Sequence, residues 1–161
     1  MLKPTFYMMV GLPGSGKSTF AKALQEDFDC AYLSTDDLVE ELAKERGETY
    51  SEGFTWVIDK ATQLFHQNLK EALSAYKNII HDQTNLTVKK RKSILSQLPK
   101  KYNKICVVVE CDDVERQERL ANRPGKVIPT HIDISMQKLY EQPTNDEGWD
   151  YILDHDSSSS I

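Results

Sequence analysis

The stretch Gly11-Leu-Pro-Gly-Ser-Gly-Lys-Ser18 decides the fold of this 161-residue chain. It matches the pattern G-x-x-x-x-G-K-(S/T) in full, between an apolar run at residues 5–10 and a helical pattern that starts near residue 16. Glycines in this pattern let backbone N–H groups surround a phosphate at the positive end of a helix. Lys17 then reaches the β- and γ-phosphates, and the Ser18 hydroxyl takes a magnesium site. The predicted ligands of ATP with Mg²⁺ are Gly14, Ser15, Gly16, Lys17, Ser18 and Thr19.

Short apolar runs alternate with helical patterns along the rest of the chain. The clearest strand is the β-branched run at residues 104–110, and the longest helical pattern covers residues 53–76. This alternation indicates a parallel sheet that is covered on both faces and binds ligands at the carboxyl ends of its strands. The sequence therefore predicts an α/β, three-layer P-loop NTPase fold with four to five parallel strands and a small helical lid. We assign one domain to residues 1–156, with the lid at about 114–129, and a flexible serine-rich tail to residues 157–161.

Composition and charge exclude several classes of protein. The net charge of −5 argues against a surface that is built as a whole to hold nucleic acid or an anionic membrane. No stretch approaches the roughly 20 apolar residues that a bilayer-spanning helix needs. The three cysteines lack the paired spacing of a zinc or redox motif, which suits a reducing compartment. We therefore expect a cytoplasmic protein that does not contact membranes.

Two acidic residues, Asp36 and Asp37, directly follow the second predicted strand. A kinase needs a base near the acceptor hydroxyl and cations around the transferred phosphate. A carboxylate at this place would face the γ-phosphate from the acceptor side, whereas the alternative is that Ser34, Thr35 or Asp36 only caps the next helix. The guanine-reading motif of GTPases is missing, because Asn103–Cys106 lacks its aspartate. These features favour a kinase over a GTPase.

Three arginines, Arg116, Arg119 and Arg123, are spaced to share one face of a helix that Pro124-Gly125 then ends. Guanidinium groups on a mobile lid can neutralise charge that develops on the transferred phosphoryl group. The alternative is a solvated helix face that carries an ordinary Glu115–Arg119 pair at i, i+4.

A third polar cluster, His81-Asp-Gln-Thr-Asn85, follows another predicted strand. Asp82 is the favoured partner of Ser18 in a magnesium site, and the region of Glu110 and Asp112 is the alternative. The neutral side chains that come next are able to hold substrate. The predicted substrate-binding residues are Asp37, Gln83, Thr84 and Asn85.

In this order the motifs resemble the 5′-hydroxyl kinase domain of bacteriophage and animal polynucleotide kinases. The segments that carry the resemblance are 11–21, 34–37, 82–87, 119–129 and 143–149, so that it covers most of the chain. The resemblance implies that Asp36 is the general base that takes the proton from a 5′-hydroxyl. It also implies that Lys17 and Ser18 hold ATP and magnesium, and that Arg119 and Arg123 belong to the lid over the triphosphate.

One departure from that family concerns the acceptor. The phage enzymes carry an arginine three residues after the catalytic aspartate, where it grips the phosphate 3′ to the acceptor sugar, and here that position is Val39. The predicted acceptor is the 5′-hydroxyl of a polynucleotide. The alternatives are a nucleoside, another small alcohol or a hydroxymethylated DNA base, or a nucleotide-binding regulator with low turnover.

A basic segment at residues 83–109 contains seven Lys or Arg and no Asp or Glu. It could follow a nucleic-acid backbone beside the acceptor site, or it could be an ordinary solvated helix face. Its members are Lys89, Lys90, Arg91, Lys92, Lys100, Lys101 and Lys104.

Overall fold

The computed structural model describes residues 2–159, and its centre is a five-stranded sheet in which every pairing is parallel. The strand order is β2-β3-β1-β4-β5. The strands are β1 (Thr5–Val10), β2 (Ala31–Leu33), β3 (Ile79–Asp82), β4 (Asn103–Glu110) and β5 (Tyr151–Asp156). This confirms the predicted α/β fold, and the run at 151–153 that suggested a last strand is the start of β5.

Within the described residues, six α-helices connect the strands and cover the sheet. They are α1 (Lys17–Asp27), α2 (Thr35–Glu45), α3 (Tyr50–Ser74), α4 (Val88–Leu95), α5 (Asp113–Ala121) and α6 (Thr130–Leu139). A 3-10 turn at Asn145–Glu147 precedes β5. Within residues 2–159, three α-helices begin at a hydroxyl cap. Ser34 accepts a hydrogen bond from the Asp37 N–H at 3.2 Å, Thr49 accepts one from the Glu52 N–H at 3.3 Å, and Thr87 accepts one from the Lys90 N–H at 3.2 Å.

Both faces of the sheet are buried, which explains the continuous apolar runs of β1 and β4. Phe6 and Met8 pack on one face against α3 and α4, while Met9 packs on the other face against α1. Cys106 is fully buried in the first cluster, and burial raises the pKa of its thiol to about 12. This thiol therefore stays protonated and packs as a small apolar group.

The burial of Arg91 corrects the interpretation of the basic segment as one surface. Its side chain is fully buried and donates to both carboxylate oxygens of Glu147, at 2.7 and 3.1 Å. It also donates to the backbone carbonyls of Asn85 and Glu141, each at 2.9 Å. Helix α4 therefore directs this one cation inward, where it holds the segment before β5, while Lys89 and Lys92 stay exposed.

The start of the predicted tail contacts the body of the protein. The Ser157 N–H donates to the Glu110 carbonyl at 2.8 Å, and the Ser159 N–H donates to the Glu115 carboxylate at 2.8 Å. Residues 160 and 161 lie outside the described residues, and the flexibility of the tail stays a prediction. Within residues 2–159, none of the helices combines the length and the apolar character that crossing a membrane requires.

Candidate active site

The phosphate loop joins β1 to α1 at the carboxyl edge of the sheet. Gly14 and Gly16 adopt φ angles of 80° and 95°, a backbone region that favours glycine. Helix α1 starts at Lys17, and no side chain caps it. The first N–H groups of the helix therefore point into the loop without a capping oxygen, which is the arrangement that binds a phosphate.

Asp82, at the end of β3, lies beside the side chains of Lys17 and Ser18, which end the phosphate-loop motif. The Ser18 hydroxyl donates to Asp82 Oδ2 at 2.9 Å, and Lys17 Nζ lies 3.9 Å from Asp82 Oδ1. The Tyr32 hydroxyl donates a further hydrogen bond to Oδ2, a contact that sequence reasoning missed. Oδ1 is buried and lacks a hydrogen-bond partner among the described residues. The strand order thus brings the predicted magnesium residues, Ser18 and Asp82, into contact.

These two oxygen groups suit Mg²⁺, which prefers carboxylate, hydroxyl and phosphate oxygens. The described residues contain no group of three or more His, Cys, Asp or Glu side chains that could hold a metal alone. A magnesium ion here would therefore need phosphate oxygens of the nucleotide as further ligands. The alternative carboxylate, Asp112, instead caps α5, because it accepts the Glu115 N–H at 3.4 Å.

Asp36 stands in the first turn of α2 with its side chain 56% exposed. Its Oδ1 accepts a hydrogen bond from the Tyr50 hydroxyl at 2.8 Å, and its Oδ2 accepts one from Lys126 Nζ at 3.0 Å. Partial burial raises the pKa of Asp36, but Lys126, Tyr50 and Lys17 outweigh it and hold the pKa below its ordinary value. The carboxylate is therefore charged and oriented. It does not cap α2, since Ser34 does so.

Tyr50 and Lys126 are site residues that sequence reasoning missed. Lys126, in the predicted lid, also lies over the Tyr50 ring, with its Nζ 4.5 Å from the ring centroid. A signal for Tyr50 exists, because Thr49 and Glu52 form a capping box that begins α3 at Tyr50 and not at residue 53. No comparable signal points to Lys126.

The three lid arginines have different environments. Arg116 is almost fully buried and donates to both oxygens of Asp133, at 2.7 and 2.9 Å, so it is neither a solvated residue nor a phosphate ligand. Arg119 Nη1 donates to the Gly14 carbonyl at 3.2 Å, which places it against the phosphate loop. Arg123 Nε and Nη2 are buried and have no hydrogen-bond partner within residues 2–159. Arg119 Nη2 also donates to the Ser157 carbonyl at 2.8 Å and lies 3.5 Å from Glu115 Oε1, which is the alternative i, i+4 pair. Of the three, only Arg123 has buried guanidinium nitrogens without a partner among the described residues.

The predicted substrate residues divide into two groups. Gln83 stays at the surface, where its Nε2 donates to Thr35 Oγ1 at 2.6 Å, directly before Asp36. Asp37 is half-exposed, and burial raises its pKa although Lys22 lies 4.0 Å away.

The other two predicted substrate residues hold the phosphate loop to the loop after β3. The Thr84 carbonyl accepts the Gly11 N–H at 3.1 Å. Asn85 is fully buried with φ 48°, and its Nδ2 donates to the Met9 carbonyl at 2.8 Å. A side-chain contact inside the protein accounts for Asn85, whereas Thr84 is engaged only through its backbone carbonyl, and its role in substrate binding stays a prediction.

A phosphate loop on a parallel sheet, with a carboxylate beside its serine, defines the class: this is an α/β protein with the fold of P-loop kinases. The chain belongs to the AAA_33 (AAA domain) family, whose model matches residues 6–143. 

Among named relatives, the chain is 29% identical to the cytidylate kinase of Methanococcoides burtonii over 137 residues, which are 84% of this chain and 70% of that one. It is 49% identical to the cytidylate kinase of Aeropyrum pernix over 45 residues, which are 28% of this chain and only 26% of the relative. A chain of the Pnkp1/Rnl/Hen1 RNA repair complex shares the fold with a TM-score of 0.65 and 21% identity, covering 86% of this chain and 44% of that chain.

Proposed function

We propose that this protein is a kinase that uses ATP with Mg²⁺ to phosphorylate a hydroxyl group, and that the acceptor is the 5′-hydroxyl of a polynucleotide. One observation carries the proposal. Asp36 is a carboxylate that two hydrogen bonds hold in place, at the same edge of the sheet as the phosphate loop. It interacts electrostatically with Arg123, whose buried N–H groups lack a partner among the described residues. A base and an unsatisfied cation are what phosphoryl transfer to an alcohol requires.

Each side chain has a separate role in this mechanism. Loop N–H groups and Lys17 would hold the phosphates, and Ser18 with Asp82 would hold Mg²⁺, which would neutralise phosphate charge. Asp36 accepts the proton of the acceptor hydroxyl as its oxygen bonds to the γ-phosphorus and the bond from that phosphorus to the departing ADP breaks. Arg123 and Arg119 stabilise the charge on the transferred group. A carboxylate with a low pKa acts here through its position more than through its basicity.

Two observations support a polynucleotide acceptor. Lys89 and Lys92 are exposed on α4, whose first turn lies just after Gln83 in the chain. The fold is also shared with a chain of an RNA repair complex. A positive surface beside the acceptor site would follow the phosphates of a strand.

A second candidate acceptor is a nucleoside or nucleotide. The position where the phage enzymes carry the acceptor-phosphate arginine is Val39, which is fully buried between α2 and α3 and cannot reach a strand. The relatives named as cytidylate kinases also favour a small nucleotide acceptor. 

Transfer of labelled γ-phosphate to 5′-hydroxyl DNA, 5′-hydroxyl RNA, nucleosides and nucleotides tests both candidates. We expect Asp36→Asn to abolish transfer while the affinity for Mg-ATP changes little. Equal rates in Asp36→Asn and wild type would refute the role of the base.

Salt and lysine variants then separate the two acceptors. A strand loses affinity steeply as salt rises, and a nucleoside does not. The double variant Lys89→Ala/Lys92→Ala should weaken strand binding. Its matched control, Lys77→Ala/Lys100→Ala, removes two exposed lysines that precede β3 and β4, at the opposite edge of the sheet. If both double variants bind a strand equally well, the strand does not follow α4.

A further inference from the structure

A cavity of about 400 Å³ lies between α3 and α4, on the face of the sheet to which His81 of β3 contributes its side chain. Its volume is within the range of sites for small molecules. Phe65, Leu69 and Ile94 contribute apolar side chains to its wall. The mechanism proposed above does not use this cavity.

His81 brings a polar aromatic ring to this apolar wall. Its Nδ1 lies 3.2 Å from the amide nitrogen of Asn85. The buried ring stands edge-on to Phe65, with 5.1 Å between the ring centroids.

The mouth of the cavity is polar and adjoins the predicted base. Lys90 Nζ donates to Gln83 Oε1 at 3.2 Å, and both side chains line the cavity. Gln83 in turn donates to Thr35, the residue before Asp36. A ligand that presents a hydroxyl to Asp36 therefore has this cavity next to it.

We propose that the cleft between α3 and α4 holds the base of the nucleoside that presents its hydroxyl to Asp36. An apolar slot with an imidazole ring in its wall fits a planar heterocycle, because a charged group would lose its hydration there and an aliphatic chain would offer the imidazole no hydrogen bond. Cationic Lys89 and Lys90 at the rim suit the phosphates attached to such a nucleoside. The inference rests on the proposed function, and it applies to the terminal nucleoside of a strand as well as to a free one.

Two neighbouring residues of α3 provide matched variants. His66 lines the cavity, whereas Gln67 does not, and both are exposed. His66→Trp should fill the cleft without disturbing the core, and Gln67→Trp places the same side chain on the surface outside it.

The test compares kcat/KM for two oligonucleotides at saturating ATP, one ordinary and one with an abasic 5′-terminal sugar. We expect wild type to prefer the ordinary oligonucleotide by about tenfold or more, since base stacking and burial contribute this much in other proteins. His66→Trp should remove the preference by slowing only the ordinary substrate, and Gln67→Trp should keep it. Equal rates for both substrates in wild type, or an equal loss for both in His66→Trp, would overturn the assignment.

A binding measurement separates this inference from the proposed function. Calorimetric titration of the protein, loaded with a non-hydrolysable ATP analogue, compares a nucleoside with ribose. Tighter binding of the nucleoside that His66→Trp abolishes would support the cleft even if no hydroxyl is phosphorylated, in which case only the proposed function fails. If the nucleoside binds no better than ribose, the cleft does not hold the base.

Discussion

Arg91 on α4 and Arg123 after α5 both have buried guanidinium nitrogens, yet their surroundings differ. Arg91 donates four hydrogen bonds, two of them to Glu147, and none of its side chain is exposed. Arg123 has two buried nitrogens that lack a partner in the part of the chain that the structure describes. A buried cation without a partner is costly, so its persistence points to an anion that binds there. Arg91 is therefore paired within the fold, and the proposed role of Arg123 is to bind an anionic group of the substrate.

Replacement of the two arginines should therefore have different effects: loss of Arg123 should lower activity, and loss of Arg91 should lower stability. We expect Arg123→Ala to lower kcat by about 10³- to 10⁵-fold, as removal of a cation from a transferred phosphoryl group does elsewhere. Its unfolding midpoint should stay near that of wild type, because the folded protein loses no hydrogen bond there. Steady-state transfer and thermal unfolding measure the two effects. A large loss of stability with unchanged turnover would reverse the comparison.

Arg91→Ala should destabilise the protein by about 3–5 kcal/mol, because it leaves the Glu147 carboxylate buried without its partner. The activity of each folded molecule should remain near that of wild type, since Arg91 lies outside the proposed site. Urea unfolding followed by tryptophan fluorescence gives the free energy of unfolding. Lys92→Ala, an exposed neighbour on the same helix, is the control and should cost less than about 0.5 kcal/mol. A loss below 1 kcal/mol for Arg91→Ala would show that the pair does not hold the fold.

Arg116 lies on α5, in the predicted lid, but like Arg91 it is paired with a buried carboxylate. We therefore expect it to contribute to stability. Its partner Asp133 has a pKa of about 2, below its ordinary 3.8, chiefly because of the hydrogen bonds from Arg116. The unfolded chain then binds more protons between about pH 4 and pH 2, so stability is lost as the pH falls through this window. The shift corresponds to about 2 kcal/mol.

The free energy of unfolding at pH 4 and at pH 2.5 measures this contribution. Other carboxylates titrate in the same range, so the quantity of interest is the difference between wild type and Asp133→Asn. The variant should be less stable at pH 4, and its stability should fall less on acidification. Parallel losses in the two proteins would show that Asp133 does not contribute to the pH dependence.

Local patterns predicted the sheet and the neighbourhood of Ser18 and Asp82, because the evidence for them lies within a few residues. The phosphate-loop motif predicted strand β1 before it and helix α1 after it. The polar run that begins at the end of β3 predicted that Asp82 lies near Ser18. The partner of Arg91 is Glu147, 56 residues away, and helical spacing cannot tell a buried pair from a solvated face. Lys126 reaches Asp36 across 90 residues. Contacts between distant segments depend on the fold as a whole, and a single sequence does not contain them as a pattern.

The smallest expected effect concerns Tyr50, whose hydroxyl donates a hydrogen bond to Asp36 Oδ1. Its hydrogen bond stabilises the carboxylate and so lowers the pKa of Asp36, and Tyr50→Phe should therefore raise that pKa. Because the proton acceptor must be ionised, the acid limb of the pH profile of kcat/KM should move to higher pH. A neutral donor to a charged group contributes about 1–3 kcal/mol when buried, and Asp36 is half-exposed, so we expect a shift of less than about one pH unit. Tyr151→Phe removes an exposed hydroxyl on β5 and should leave the profile unchanged. If the acid limb of Tyr50→Phe stays in place or moves to lower pH, Tyr50 does not position the base. Lys126 would then be the residue that orients the Asp36 carboxylate.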